Sequence, residues 1–281
     1  MAAPTLLVHI DDSPECTQRL SVAFPIARKL GAHVAAAYFD NSPEIAPAVA
    51  ALMPAEAVER AMQNLAQRQR VAEQAFRSAA KDAGIASVEW RAPSEPAIDA
   101  AVAHARCADI TVLSQPQSAE AGSALDAQLL AAVLLESGRP LLIAPRFAVD
   151  ADVGRHIAVA WDGGREASRA LRDALPLLVL AERVTVACLD PGATARGADH
   201  AARERVVDYL GRHGINVRLE SDNLGDDDIS VGDWLLSRLA DIGADLLVMG
   251  GYGHPRWRER VLGGATRALL AAMTVPILMS H

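Results

Sequence analysis

Short apolar runs alternate with longer stretches of helical period along the whole chain. Residues 5–11 form such a run and end on Asp11, which predicts a buried strand closing on a carboxylate. Ser13-Pro14 follows, supplying an N-cap and a proline for the first helical position, so a helix is expected to about residue 30. Further strands are predicted at 33–39, 86–91, 109–114 and 141–144. The helices between them are expected at 53–83, 95–106 and 125–137. The series then repeats. Strands are predicted at 156–161, 183–189, 215–219, 246–249 and 277–279, with helices from Gly164 to 181, then at 198–212, 231–242 and 267–273.

The repetition is an internal duplication. A shift of 136 positions lays Ala108-Asp109 on Ala244-Asp245, Leu113 on Met249 and Pro140 on Pro276 without a gap. Upstream, Asp11 matches Asp162. Two domains are expected, at 1–147 and 154–281, joined by a polar linker. Alternating strands and helices imply a parallel sheet in each, covered on both faces. The fifth strands at 141–144 and 277–279 are apolar edges that need a partner. They are expected to pair the two halves about a pseudo-two-fold axis, with room for a homodimer beyond that.

The last quarter of the chain carries the candidate chemistry. Leu246-Leu247-Val248-Met249 stops at Gly250-Gly251-Tyr252-Gly253, and Gly263-Gly264-Ala265-Thr266 opens the next helix. Helix N-termini present unpaired N–H groups and partial positive charge, and glycine admits a ligand close to the backbone. The pattern describes a phosphate cradle.

Composition narrows the class. The chain is 51% hydrophobic and 22% charged with only 4% aromatics, as expected of helices packed on buried parallel strands. A net charge of −8 argues against nucleic acid or an anionic membrane as the main partner. No run approaches a membrane span, and the first residues read as a strand instead of a secretory signal. Cys16, Cys107 and Cys188 are far apart and odd in number, which predicts reduced thiols and a cytoplasmic protein.

With strand-Asp opening each half and Gly250-x2-Gly253-x9-Gly263 near the end, the chain resembles the universal stress protein family in its tandem form. The resemblance covers almost the whole chain. It implies two tandem Rossmann-like α/β domains of the adenine nucleotide alpha hydrolase-like kind, each with five parallel strands. It also implies ATP, with or without Mg²⁺, in the second domain. Strands one and four would lie side by side where strand order reverses. Asp162, with Gly163 behind it, would meet the ribose or adenine end, and Leu189 would wall the adenine. Met249 and Gly250 would border the nucleotide. Gly253, Gly263, Gly264, Ala265 and Thr266 would contact phosphates. The family often has Ser or Thr directly after the third glycine; here Gly264 stands there and the hydroxyl comes at Thr266.

In the first half the glycines Gly250, Gly253, Gly263 and Gly264 fall on Ser114, Gln117, Ala127 and Gln128. Their β-carbons remove close backbone approach, so this half reads as a degenerate copy. Other features have plainer readings. Asp162 could cap the helix that follows it. Arg256, Arg258 and Arg260 around Trp257 read as a solvated face, the alternative being a γ-phosphate contact. His254 reads as a turn residue and Asp226–Asp228 as a solvated acidic loop. No Ser/His/Asp order, metal cluster or Gly-x4-Gly-Lys-Ser/Thr loop is present. The expectation is a binding module with an unknown protein partner, not an enzyme. The rival reading is a structural or chaperone-like protein of the same fold without nucleotide.

Overall fold

The computed structural model describes residues 3–39, 53–116, 124–147, 149, 152–190, 196–223, 230–251 and 264–281. The first half runs β1 (Thr5–Ile10), α1 (Glu15–Leu30), β2 (His33–Tyr38), α2 (Ala55–Asp82), β3 (Val88–Arg91), α3 (Ala97–Arg106), β4 (Ile110–Ser114), α4 (Ala124–Glu136) and β5 (Leu141–Ala144). The second runs β6 (His156–Ala160), α5 (Arg165–Leu178), β7 (Arg183–Asp190), α6 (Arg196–Arg212), β8 (Val217–Asn223), α7 (Val231–Ile242), β9 (Leu246–Gly250), α8 (Gly264–Ala272) and β10 (Ile277–Ser280). The order predicted from the sequence is recovered, with ends moved by a few residues. The largest shift is β8, which starts at Val217 and runs on to Asn223, two residues beyond Ser221 into what read as an acidic loop. Its pairing with β7, Asp190 against Asn223, holds those polar residues extended.

The ten strands form a single sheet in the order β3-β2-β1-β4-β5-β10-β9-β6-β7-β8. Within each half every pairing is parallel. The halves join through β5 and β10, which run antiparallel with Leu142 opposite Leu278. Those two leucines are equivalent under the shift of 136, so the expected pseudo-two-fold axis passes between them. The register repeats as well. Leu6 pairs with Ile110 in the first half, and their equivalents Ile157 and Leu246 pair in the second.

Alternation along the strands sends side chains to opposite faces, and each face carries one core. One core gathers Val22, Phe24 and Ile26 of α1, Phe76 of α2, Leu171 and Leu175 of α5, and Leu210 of α6. The other gathers Ala101 of α3, Leu130 and Leu134 of α4, Leu239 of α7, and Leu269 and Leu270 of α8. Both cores run through the junction without a break. Two interior prolines, Pro25 in α1 and Pro176 in α5, sit at matching places in the repeat.

Two local devices differ from the sequence reading. Ser13 does not cap α1: its hydroxyl donates to Asp11 Oδ1 at 2.7 Å, and the helix begins after Pro14 with no side-chain cap. The aspartates that anchored the alignment have a structural job at the opposite end of the sheet. Asp109 accepts from the N–H of Thr5 at 2.7 Å, and Asp245 accepts from the N–H groups of Gly154, Arg155 and His156. Each carboxylate thus binds unpaired backbone donors at the start of the neighbouring first strand.

Candidate functional site

In each half the sheet parts at the carboxyl end of its first and fourth strands. In the second half, Val159 and Val248 are the last β6–β9 pair. Beyond them β6 stays with β7, through Ala160 opposite Ala187 and the N–H of Trp161 donating to the Ala187 carbonyl. β9 stays with β10, through Met249 opposite Met279 and the N–H of Gly251 donating to the Ser280 carbonyl. Strand order reverses here, and an open parallel sheet receives ligands at such a crevice.

Asp162 and Gly163 are exposed on the β6 side of this crevice. Asp162 Oδ1 accepts from the N–H of Gly164 at 2.7 Å, and Gly163 takes φ +74°, a turn that disfavours any residue with a β-carbon. The carboxylate therefore closes the turn that leads into α5, while Gly164 occupies the N-cap position. On the other side Met249 is half-buried against the core. Leu189 lies near the end of β7, opposite Asp222 of β8. Gly264, Ala265 and Thr266 form the first turn of α8, and Thr266 is buried. The structure thus brings Asp162, Met249 and Gly250 to one split in the sheet. Gly253 and Gly263 lie outside the described residues, as do His254, Arg256, Trp257, Arg258, Arg260 and Asp226–Asp228.

Gly250 and Gly251 have a reason that the sequence did not disclose. A β-carbon on Gly250 would stand 2.5 Å from the Ala167 nitrogen and 2.6 Å from the Glu166 carbonyl carbon. The first turn of α5 therefore sits on β9 with no room for a side chain. A β-carbon on Gly251 would meet Met279 Sδ at 2.6 Å and Leu134 Cδ2 at 3.1 Å. Gly250 is required by packing whether or not a ligand binds, whereas a β-carbon on Gly251 would have side chains to displace instead of backbone. Glu166 brings a negative group to this turn: burial favours its neutral form, but its own backbone N–H and Arg165 outweigh that and hold its pKa below the ordinary glutamate value.

The equivalent split in the first half is filled. Val8 and Val112 are the last β1–β4 pair. Into the gap comes Arg19 of α1, with a side chain only 1% exposed. Its guanidinium donates to the His9 carbonyl at 2.5 Å, to Ser114 Oγ at 2.9 Å and to Asp11 Oδ2 at 3.1 Å. Burial opposes ionisation of Asp11, but Arg19, His9 and the bond from Ser13 hold its pKa below the usual value. Burial and the nearby guanidinium lower the His9 pKa to about 4, so the imidazole is neutral at pH 7. At the Arg19 position the second half has Ala170, and at the Ser114 position it has Gly250. Sequence reasoning singled out Ser114 but missed Arg19, which looked like one more polar residue in an amphipathic helix.

A groove of about 790 Å³ opens between α1 and α2, walled by Leu20, Phe24, Ala72 and Phe76, with Asp11 and Asp12 at one end. Largely apolar walls and three carboxylates, Asp11, Asp12 and Asp82, suit it poorly to phosphate, since the arginine on its lining, Arg68, already pairs with Asp12. All three cysteines are free. Among the described residues no group of His, Cys, Asp and Glu could hold a metal ion, and no helix is long and apolar enough to cross a membrane.

Two five-stranded parallel halves of order 3-2-1-4-5, joined edge to edge in one sheet, define a duplicated Rossmann-like α/β fold. Solved structures share this architecture over 99% of the chain. A universal stress protein from Archaeoglobus fulgidus DSM 4304 superposes with a TM-score of 0.73 at 15% identity over 96% of its own length. A candidate universal stress protein from Pseudomonas aeruginosa UCBPP-PA14 gives 0.60 at 15% identity over 93% of its length. A functionally unknown protein from Pseudomonas aeruginosa PAO1 gives 0.60 at 15% over 92%. The chain has the fold of the tandem universal stress proteins, as the resemblance read from its glycine spacing implied. No protein-family model matches the sequence, and no curated protein does.

Proposed function

We propose that this chain is a tandem universal stress protein whose second half binds ATP, with or without Mg²⁺, and whose first half does not. The observation that carries this reading is the contrast between two equivalent splits in one sheet. Arg19 occupies the first, whereas Ala170 and Gly250 put no side chain of comparable reach into the second. Asp162 and Met249 would hold the nucleoside end. Gly253, Gly263, Gly264, Ala265 and Thr266 would hold the phosphates through main-chain N–H groups and the Thr266 hydroxyl, the polyanion that a helix start favours. The protein would act in the cytoplasm as a regulatory or protective binding module, with ATP turnover at most slow and incidental. A homodimer formed by edge-to-edge strand pairing would use the outer strands β3 or β8, since β5 and β10 already pair with each other.

The test is mass spectrometry of small molecules released on denaturing the purified protein, with calorimetric titration of ATP·Mg. ATP recovered from the wild type, and binding lost in Gly253→Asp, is the expected result. No nucleotide and no heat would favour the second reading, a structural or chaperone-like interaction protein of the same fold. One observation supports that alternative: Gly250 is accounted for by packing against the backbone of α5.

A further inference from the structure

The first half, though it lacks a cradle, grips the helix on which the cradle of the second half is built. Gln115 follows β4 and is only 4% exposed. Its main-chain N–H donates to the Ala144 carbonyl at 2.7 Å, and its Oε1 accepts from the N–H of Arg146 at 3.0 Å. Backbone and side-chain oxygen are thus fixed to the β5 side of the first half. The other end of the amide crosses the junction. Gln115 Nε2 donates to the Leu270 carbonyl at 2.7 Å and to the Ala271 carbonyl at 3.2 Å. Both carbonyls belong to the last turn of α8, where the helix itself supplies no donors.

The contact has a counterpart across the pseudo-dyad. Under the shift of 136, Gln115 corresponds to Gly251 and Leu270 to Leu134, and Gly251 indeed lies against Leu134. The two contacts occupy equivalent places, but only the one leaving the first half carries a hydrogen-bonding side chain. The asymmetry runs from the degenerate half to the half with the glycines.

We propose that Gln115 is a positioning residue for the nucleotide site of the other half; this rests on the reading of that site given above. α8 spans only Gly264–Ala272, about 12 Å at the rise of an α-helix. Over two and a half turns the helix behaves as a rod, so seating its last carbonyls sets the direction of its first N–H groups. Leu269 and Leu270 bury its side against the core, which resists sideways movement, and the Gln115 amide stops it sliding or turning about its own axis. The degenerate half is then part of the site without touching the ligand.

The full chain is tested as wild type, Gln115→Met and Arg169→Ala. Methionine keeps the volume of glutamine and removes both donors to α8, together with the acceptor for the Arg146 N–H. Arg169→Ala removes a different bond across the junction, from the guanidinium to the Gly138 carbonyl at 2.5 Å, a bond that does not involve α8. ATP·Mg affinity is read by calorimetry, and amide hydrogen exchange of α8 without nucleotide. Gln115→Met is expected to weaken ATP·Mg binding about tenfold and speed α8 exchange by a similar factor, the loss of one or two buried hydrogen bonds. Arg169→Ala should leave both unchanged. If Gln115→Met does not fold, Gln115→Ala replaces it, since it likewise removes both donors and adds no charge at a buried position. Wild-type affinity in a folded Gln115 variant would overturn the inference and leave the nucleotide site standing. Absence of binding by the wild type would overturn both.

Discussion

Arg19 reaches across the gap between β1 and β4 and donates through Nε to Ser114 Oγ at 2.9 Å. Its equivalent in the second half is Ala170, facing a strand that ends in Gly250. The two changes belong together. With a guanidinium in the gap the strand end can carry a hydroxyl. Without one, the first turn of the helix settles onto bare backbone, and even a methyl group has no space.

Arg19→Ala should therefore be costly. It leaves the Asp11 carboxylate, the His9 carbonyl and Ser114 without their shared donor inside the fold, and breaking a buried charged pair from one side costs about 3 kcal/mol or more. Urea denaturation of the variant should show a lower midpoint at unchanged slope. The double change Arg19→Ala with Ser114→Gly, which copies the second half, should recover part of the loss. A single variant as stable as wild type would show that the cluster contributes little.

His9 makes stability depend on pH in a defined window. Its pKa is about 4 in the folded chain against an ordinary histidine value of 6.5, so between those values the unfolded chain takes up the proton that the folded chain refuses. Stability should fall as pH drops through this window, by up to about 1.4 kcal/mol per unit. Below pH 4 Asp11, whose folded pKa is also depressed, continues the loss in the same direction. Urea midpoints measured from pH 7 to pH 4 should decline in wild type and run flatter in His9→Gln. Parallel curves for the two proteins would count against the assignment.

Gly250→Ala tests packing apart from ligand binding. Its methyl group would strike main-chain atoms of Glu166 and Ala167, which cannot swing aside as a side-chain end could. Overpacking of this kind costs about 1–3 kcal/mol. Gly163→Ala meets no atom within 4 Å but inherits φ +74°, a strain of about 1 kcal/mol. Thermal unfolding without nucleotide should rank wild type first, Gly163→Ala second and Gly250→Ala last.

Cutting the chain in the linker should convert an internal junction into an association. Leu141–Ala144 is wholly buried where it pairs with β10. Because Leu142 already faces its own repeat equivalent, a second first half can take the place of the missing strand. Residues 1–147 alone are expected to sediment as a dimer at micromolar concentration, and a monodisperse monomer there would refute the idea.

The fold was legible because its signals are local and repeated. Apolar runs closing on Asp11 and Asp162, glycines after helices, and an ungapped alignment through Asp109 and Asp245 led to the strand count and the pairing of fifth strands, while the placement of strands one and four side by side came from the family resemblance. The site was legible only in part. Periodicity cannot show that a residue four places into a helix, Arg19, turns inward and fills a split in the sheet, since the partners that neutralise it lie about ten and 95 positions away. The glycines of β9 read as room for a ligand, because the helix pressed against them is invisible in a linear sequence. Gln115 was hidden for the same reason: its partners are 155 and 156 residues distant.

Joining β5 to β10 within one chain has a thermodynamic consequence. Two separate copies meeting edge to edge would gain that junction only above their dissociation constant, and dilution would take it away. A linker replaces bulk concentration with an effective local one, of millimolar order for short tethers. The junction, and with it the support that Gln115 lends to α8, should survive at any abundance of the protein. It also frees the two copies from having to be identical, so that one could surrender its crevice to an arginine while the other kept its glycines.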